Sequence, residues 1–185
     1  MADASPDRAT RRGSARAGRP GGGPTGSPSG TPATVLQGGR AKAYRPLPVD
    51  ARAVAVADGL AAYRRGDVFL AHELLEPAWM GTADLAEREL VQGLIKLAAG
   101  YVHAVRGNPA GVTKNLVGAR AHLAAAGQGG AGSGPASPAP AIAVPQLASI
   151  DVTRLMRDID RVVARVAASG SVPQRRPAIR HRTVS

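Results

Sequence analysis

The chain has no cysteine. That excludes disulfides, thiolate metal sites and a cysteine nucleophile, and it points to a reducing compartment. It has no run of 18 apolar residues, the minimum that would suggest a membrane helix. Serine is missing from residues 30–132, so the central part of the chain offers no serine nucleophile. Aromatics are scarce. The five present, Tyr44, Tyr63, Phe69, Trp79 and Tyr101, all fall between residues 44 and 101. A pair of arginines, Arg11 and Arg12, precedes "GSARAGRPGGGPTGSPSG", which has no apolar stretch and so reads as neither a secretory nor a twin-arginine signal. The expectation is a soluble, cytoplasmic protein.

The 185 residues carry a net charge of +11, but this charge is unevenly placed. Residues 1–43 hold seven Lys/Arg and two Asp, and residues 171–185 hold four Arg and no acid. Residues 44–126 hold nine basic and eight acidic side chains, so they are nearly neutral. The basic character belongs to the ends. Residues 1–43 are rich in Gly, Pro, Ser and Arg and have too little apolar surface to offset the entropy of ordering; the end from 171 reads the same way. Both are expected to be disordered basic tails. Residues 127–149, opening with "GQGGAGSGPASPAPA", read as a flexible linker.

Four helices fit residues 50–126. In the first, Ala53, Val56, Leu60 and Tyr63 recur at helical spacing, with Asp50 as the expected cap. Gly66 suits a left-handed stop, and Asp67 caps a second helix that runs to about Trp79. The third spans about Asp84 to Arg106. "GNP" then opens a fourth, with Asn108 as cap and Pro109 in the first turn, running to Ala126. After the linker, Val152, Leu155, Met156, Ile159, Val162, Val163 and Val166 form the apolar face of a helix over 150–170. The expectation is an all-α fold: a four-to-five-helix bundle with its core in 44–126, a fifth amphipathic helix packed on it, and disordered ends.

The densest chemistry lies in "GDVFLAHELLEPAWMG", residues 66–81. At about 100° per residue, Val68, His72, Leu75 and Trp79 share one face, Glu76 sits at its edge and Glu73 points away. On the third helix Glu89, Gln92, Lys96 and His103 form a polar stripe, a pattern that usually marks a solvated face. Two antiparallel helices would nonetheless be able to bring Gln92 or His103 to His72 and Glu76. Specific templates fail. A zinc-protease helix needs His at 76, where this chain has Glu, and a di-iron bundle needs Glu-x-x-His, which does not occur. "GQGGAG", residues 127–132, matches a dinucleotide fingerprint only in letters, because no strand precedes it. Two readings of His72 and Glu76 stay open. One is a structural cluster pinning two helices; the other is a metal or small-ligand site completed by Gln92 or His103. Trp79 reads as a core anchor, and His122 and His181 as ordinary surface residues. No cofactor is indicated.

Taken together, "RPLP" at 45–48, "GDVFLAHELLEPAW" at 66–79, "LVQGLIKLAAGYVHAVRGN" at 90–108 and "GVTKNLVGARAHL" at 111–123 resemble a family of small helical proteins, domain of unknown function 309. Its pattern is a His-Glu-x-x-Glu-x-x-Trp helix, followed by a Gln-Gly-Leu-Ile helix that ends in His and an Arg-Gly-Asn turn. His72, Glu73, Glu76, Trp79, Gln92, His103 and Asn108 match it. The resemblance covers about 44–126 and the helix after "SIDV"; Pro77, the tails and the linker depart from it. It implies an all-helical fold and no particular activity. Three functional classes follow: a non-enzymatic binding module, a metal-dependent or acid–base enzyme centred on His72 and Glu76, and weak, non-specific nucleic-acid contact through the Arg-rich ends.

Overall fold

The structure, a computed structural model, describes residues 45–128, 142–172 and 174–182, together with the backbone of 34–37 and 40–43. The expected tail over 1–33 and most of the expected linker, 129–141, lie outside the described residues. All that is described falls within one compact unit, 32–185. No helix among the described residues is long and apolar enough to cross a membrane.

The body is helical, as the periodicities require. Helices α1 (Val49–Arg65), α2 (Val68–Gly81), α3 (Leu85–Val105) and α4 (Pro109–Gln128) follow one another with short turns. A short helix, α5 (Pro145–Ala148), precedes α6 (Val152–Ser169). Short connections make sequence neighbours pack as spatial neighbours: α1 lies on α2, α2 on α3, α3 on α4, and α6 covers α4. Within the stretch read as the N-terminal tail, strands β1 (Thr34–Gln37) and β2 (Arg40–Ala43) pair antiparallel, Thr34 opposite Ala43 and Gln37 opposite Arg40.

Caps set most of the boundaries. The Asp67 carboxylate accepts from the Leu70 amide, Asp84 from Glu87, Asn108 from Gly111 and Asp151 from Arg154, each satisfying a donor that a helix leaves open at its start. Asp50 does not cap α1. Pro48, extended at φ −54° and ψ 154°, precedes the first helical residue, and its carbonyl accepts from the Arg52 amide. Asp50 therefore lies inside the first turn, where its charge still favours the positive helix end. Gly66 ends α1 in the left-handed region at φ 98°, as its position suggests.

The core gathers Val56, Leu60 and Tyr63 from α1, Leu75 and Trp79 from α2, and Leu90, Leu94, Leu97 and Tyr101 from α3. Leu116 and Leu123 from α4 and Leu155 and Ile159 from α6 complete it. The later part of the expected linker joins this core: Val144, Leu147 and Ile150 are buried around α5. So does part of the stretch read as the C-terminal tail. Residues 174–182 lie against the bundle with Pro177 and Ile179 buried. The Asp151 amide donates to the Arg180 carbonyl and the Arg182 amide to the Ser149 carbonyl, while Ile150 and His181 form a bridge. Two apolar side chains inside an Arg-rich stretch seat it, with hydrogen bonds at Pro177, Arg180 and Arg182 satisfying backbone groups around them.

Candidate functional site

The motif helix α2 buries Val68, Ala71, Leu75, Ala78 and Trp79. Trp79 is among the largest fully enclosed side chains, so the core-anchor expectation matches its placement. Pro77 sits inside the helix without ending it, and α2 continues to Gly81. Its last carbonyls find partners in the "RPLP" segment: the Arg45 amide donates to Met80 and the Leu47 amide to Gly81. His72 stands at the margin of the buried face, with about a quarter of its side chain exposed. Its Nδ1 lies 3.0 Å from Oε1 of Glu73, the carboxylate expected to point away. Glu76 is half-buried and engaged within the fold.

The polar stripe of α3 faces α4. Glu89 Oε2 meets His122 Nδ1 at 2.6 Å, with both side chains half-buried. His122, expected at the surface, is thus a helix-pairing residue. The Lys96 stem lies where a Cβ on Gly118 would come within 3.0 Å of it, and a Cβ on Gly111 would lie 2.5 Å from His103 Nδ1. That same nitrogen is 3.3 Å from Asn108 Nδ2, so His103 braces the α3–α4 turn. Gln92 is buried, and its Oε1 accepts no hydrogen bond from the described residues. The hydrogen bonds of His72 and His103 therefore lead to different partners, Glu73 and Asn108. Among the described residues no group of three or more His, Cys, Asp or Glu is placed to hold a metal ion.

A second polar cluster escapes any motif. Glu87 is fully buried and accepts from Arg52 Nε at 2.6 Å and from Arg52 Nη2 at 3.4 Å, while Arg52 Nη1 donates to the Leu47 carbonyl at 2.5 Å. This fork ties α1, α3 and the N-terminal segment together.

The third cluster lies where α1, α3 and the C-terminal segment meet. The buried Tyr63 hydroxyl donates to the Pro177 carbonyl at 3.0 Å, and the Arg176 guanidinium stacks over the Tyr63 ring at 5.7 Å. Tyr101 is buried beside them, and its hydroxyl has no hydrogen-bond partner among the described residues. Burial raises both phenols above their ordinary value, Tyr101 to about 12, and the Arg176 charge opposes the rise in each. A cleft of about 300 Å³ opens here, lined by Gly66, Val68, Tyr101, Ala104, Val172 and Arg176 among others. The sequence singled out neither Tyr101 nor Arg176 as a site residue, because they are 75 positions apart and Arg176 lies in a stretch whose composition reads as a tail.

An all-helical body braced by a His-Glu motif helix and a polar seam between its third and fourth helices defines the class. Residues 56–115, from mid-α1 into α4, match the family model described as Domain of unknown function (DUF309). The match includes Tyr63, the motif helix and Tyr101, and leaves out α6 and Arg176. Neither the curated proteins nor the solved structures yield a match.

Proposed function

We propose that this protein is a non-enzymatic binding module that takes a small ligand in the cleft between Tyr101 and Arg176. The observation that carries this reading is the Tyr101 hydroxyl, enclosed behind the cleft wall with no hydrogen-bond partner among the described residues. Buried polar groups in folded proteins are nearly always paired, so an enclosed hydroxyl left unpaired behind a concave wall marks a place where an external partner would be accommodated. The volume, about 300 Å³, is at the lower end of the range for small-molecule sites. The cysteine-free composition favours the cytoplasm as its compartment.

The alternative, an enzyme centred on His72 and Glu76, needs a third group to converge on them. His72 bonds its chain neighbour Glu73, and His103 braces the turn into α4, which supports a structural role for the motif. A titration of isotope-labelled protein with a mixed fragment set tests the choice. Ligands should shift the amides of Gly66, Val68, residues 101–105 and residues 172–176. A saturable zinc titration that moves His72 and Glu76 instead, and is abolished by His72→Ala, would transfer the site to the motif.

One observation keeps the nucleic-acid reading as a second. Arg161, Arg165, Arg175, Arg176 and Arg180 line a groove beside α6 whose acidic lining residue, Asp158, already pairs with Arg161 at 2.6 Å. Anisotropy with a short duplex at two salt concentrations checks it. Phosphate contact through these arginines should weaken steeply as salt rises.

A further inference from the structure

The cleft at Tyr101 has a sign. Its lining contains one formal charge, the Arg176 guanidinium, and no carboxylate. That guanidinium stacks on Tyr63, and no acceptor among the described residues takes a hydrogen bond from it. The nearest carboxylate along the chain, Asp67, caps α2 by accepting from the Leu70 amide. Two helix ends share the wall: the first turn of α2 at Val68 and the last turn of α3 at Ala104 and Val105. Their partial charges are opposite and each about half a unit, so they largely cancel and the guanidinium decides the sign of the site.

The remaining walls are apolar: Val68, Ala104, Val105 and Val172, with the Gln174 amide at the rim. Arg176 is held from behind by Gly66. A Cβ there would lie 3.1 Å and 3.3 Å from the two terminal guanidinium nitrogens, so the backbone is approached as closely as a glycine allows. The fork is thereby placed, stacked and left with unused donors. The Tyr101 hydroxyl, enclosed behind the wall and unpaired among the described residues, would add one more on a small shift of its ring. With its pKa pushed up to about 12 by burial, it remains a donor at neutral and mildly alkaline pH.

We propose that this cleft binds a small carboxylate with an apolar body, the carboxylate held between the Arg176 guanidinium and the Tyr101 hydroxyl and the body packed on Val68, Ala104 and Val172. One cation and one hydroxyl match a monoanion with two acceptor oxygens. A phosphate dianion would call for further donors, and the lining has no second cation. This inference rests on the cleft being the binding site.

The test uses matched pairs on the full chain: isovalerate against isovaleramide and benzoate against benzamide, with acetate and inorganic phosphate as controls. Affinity is read by calorimetry, and the site by amide shifts. The acids should bind saturably and the amides at least about tenfold more weakly, since a charge-assisted contact is lost. Acetate should trail isovalerate, because it has no body to bury. Arg176→Gln should weaken acid binding by about tenfold or more and Tyr101→Phe by about three- to tenfold. Thermal melts of both variants verify that they fold. If acid and amide shift the cleft amides equally and Arg176→Gln changes nothing, the cleft binds ligands but the carboxylate assignment is overturned. Phosphate binding more tightly than isovalerate overturns it too. If no compound shifts the cleft amides, the cleft itself is not a binding site and both readings fall.

Discussion

Arg52 and Glu87 form the ion pair with the least access to water among the described residues, and its energetics follow from that. Two buried charges gain little net stability as a pair, but removing one strands the other. Glu87→Gln should therefore lower unfolding free energy by about 3–5 kcal/mol in urea melts. His72→Ala should cost less than about 1 kcal/mol, because the Glu73 carboxylate that it meets is half-exposed and solvent screens the pair. A larger loss would show that His72 does more in the fold than bond its neighbour. Tyr63 and Tyr101 contribute a pH dependence of definite sign. Burial raises their folded pKa values above the unfolded value near 10, so the folded state holds its protons more tightly. Their contribution is complete below about pH 10; that of Tyr101 is lost as pH climbs through about 12, and that of Tyr63 only at higher pH still. Melting temperature should stay level across neutral pH and fall above about 10, less steeply in Tyr101→Phe. Trp79 was legible in the sequence, because apolar spacing alone places it on the buried face. Glu87 was not. A lone Glu near a helix start looks like a solvated charge, and its partner lies 35 residues earlier on another helix.

At the scale of elements, caps were legible where a side chain could reach the third amide onward. Asp67 and Asn108 each precede an apolar periodicity and cap it, whereas Asp50, read the same way, falls inside the first turn because Pro48 already fixes the helix start. The α3–α4 seam was harder. Periodicity shows that Glu89, Gln92, Lys96 and His103 share a stripe, but not which neighbour covers it. The glycines hold that information. A Cβ on Gly93 would lie 2.8 Å from the Leu123 Cγ and 3.2 Å from the Ala119 carbonyl oxygen, and one on Gly100 would lie 3.1 Å from a Leu116 methyl. These glycines bring the two helices close enough for the polar stripe to find partners on α4. Gly93→Ala should destabilise by about 1–3 kcal/mol, because backbone as well as side chain must yield. Gly127→Ala, in α4 with nothing within 4 Å, should be neutral or stabilise by up to about 1 kcal/mol. Equal effects of the two changes on thermal melts would mean that the seam has slack.

At the scale of the whole molecule, the described C-terminal segment is part of the fold. A chain ending at residue 170 would lose the buried Pro177 and Ile179, the hydrogen bond from Tyr63 to Pro177 and the bridge at Ile150. It should unfold about 2–4 kcal/mol more easily than the full chain, and Ile179→Ala should reproduce part of that loss. Composition hid this segment: four arginines in fifteen residues outweigh one isoleucine in any average, although Pro177 and Ile179 are buried against the bundle. Its contacts also reach far back along the chain, 114 residues from Pro177 to Tyr63 and 117 from His181 to Arg64. During synthesis the α1–α4 bundle emerges first and can build its nearest-neighbour pairings at once, whereas the segment that carries Arg176 follows only after α6. In refolding, Trp79 fluorescence should therefore reach its native value before the 174–182 amides gain protection from exchange. The bundle would for that interval be native in shape yet unable to hold a ligand, so competence to bind would be acquired as a separate, later event from becoming folded.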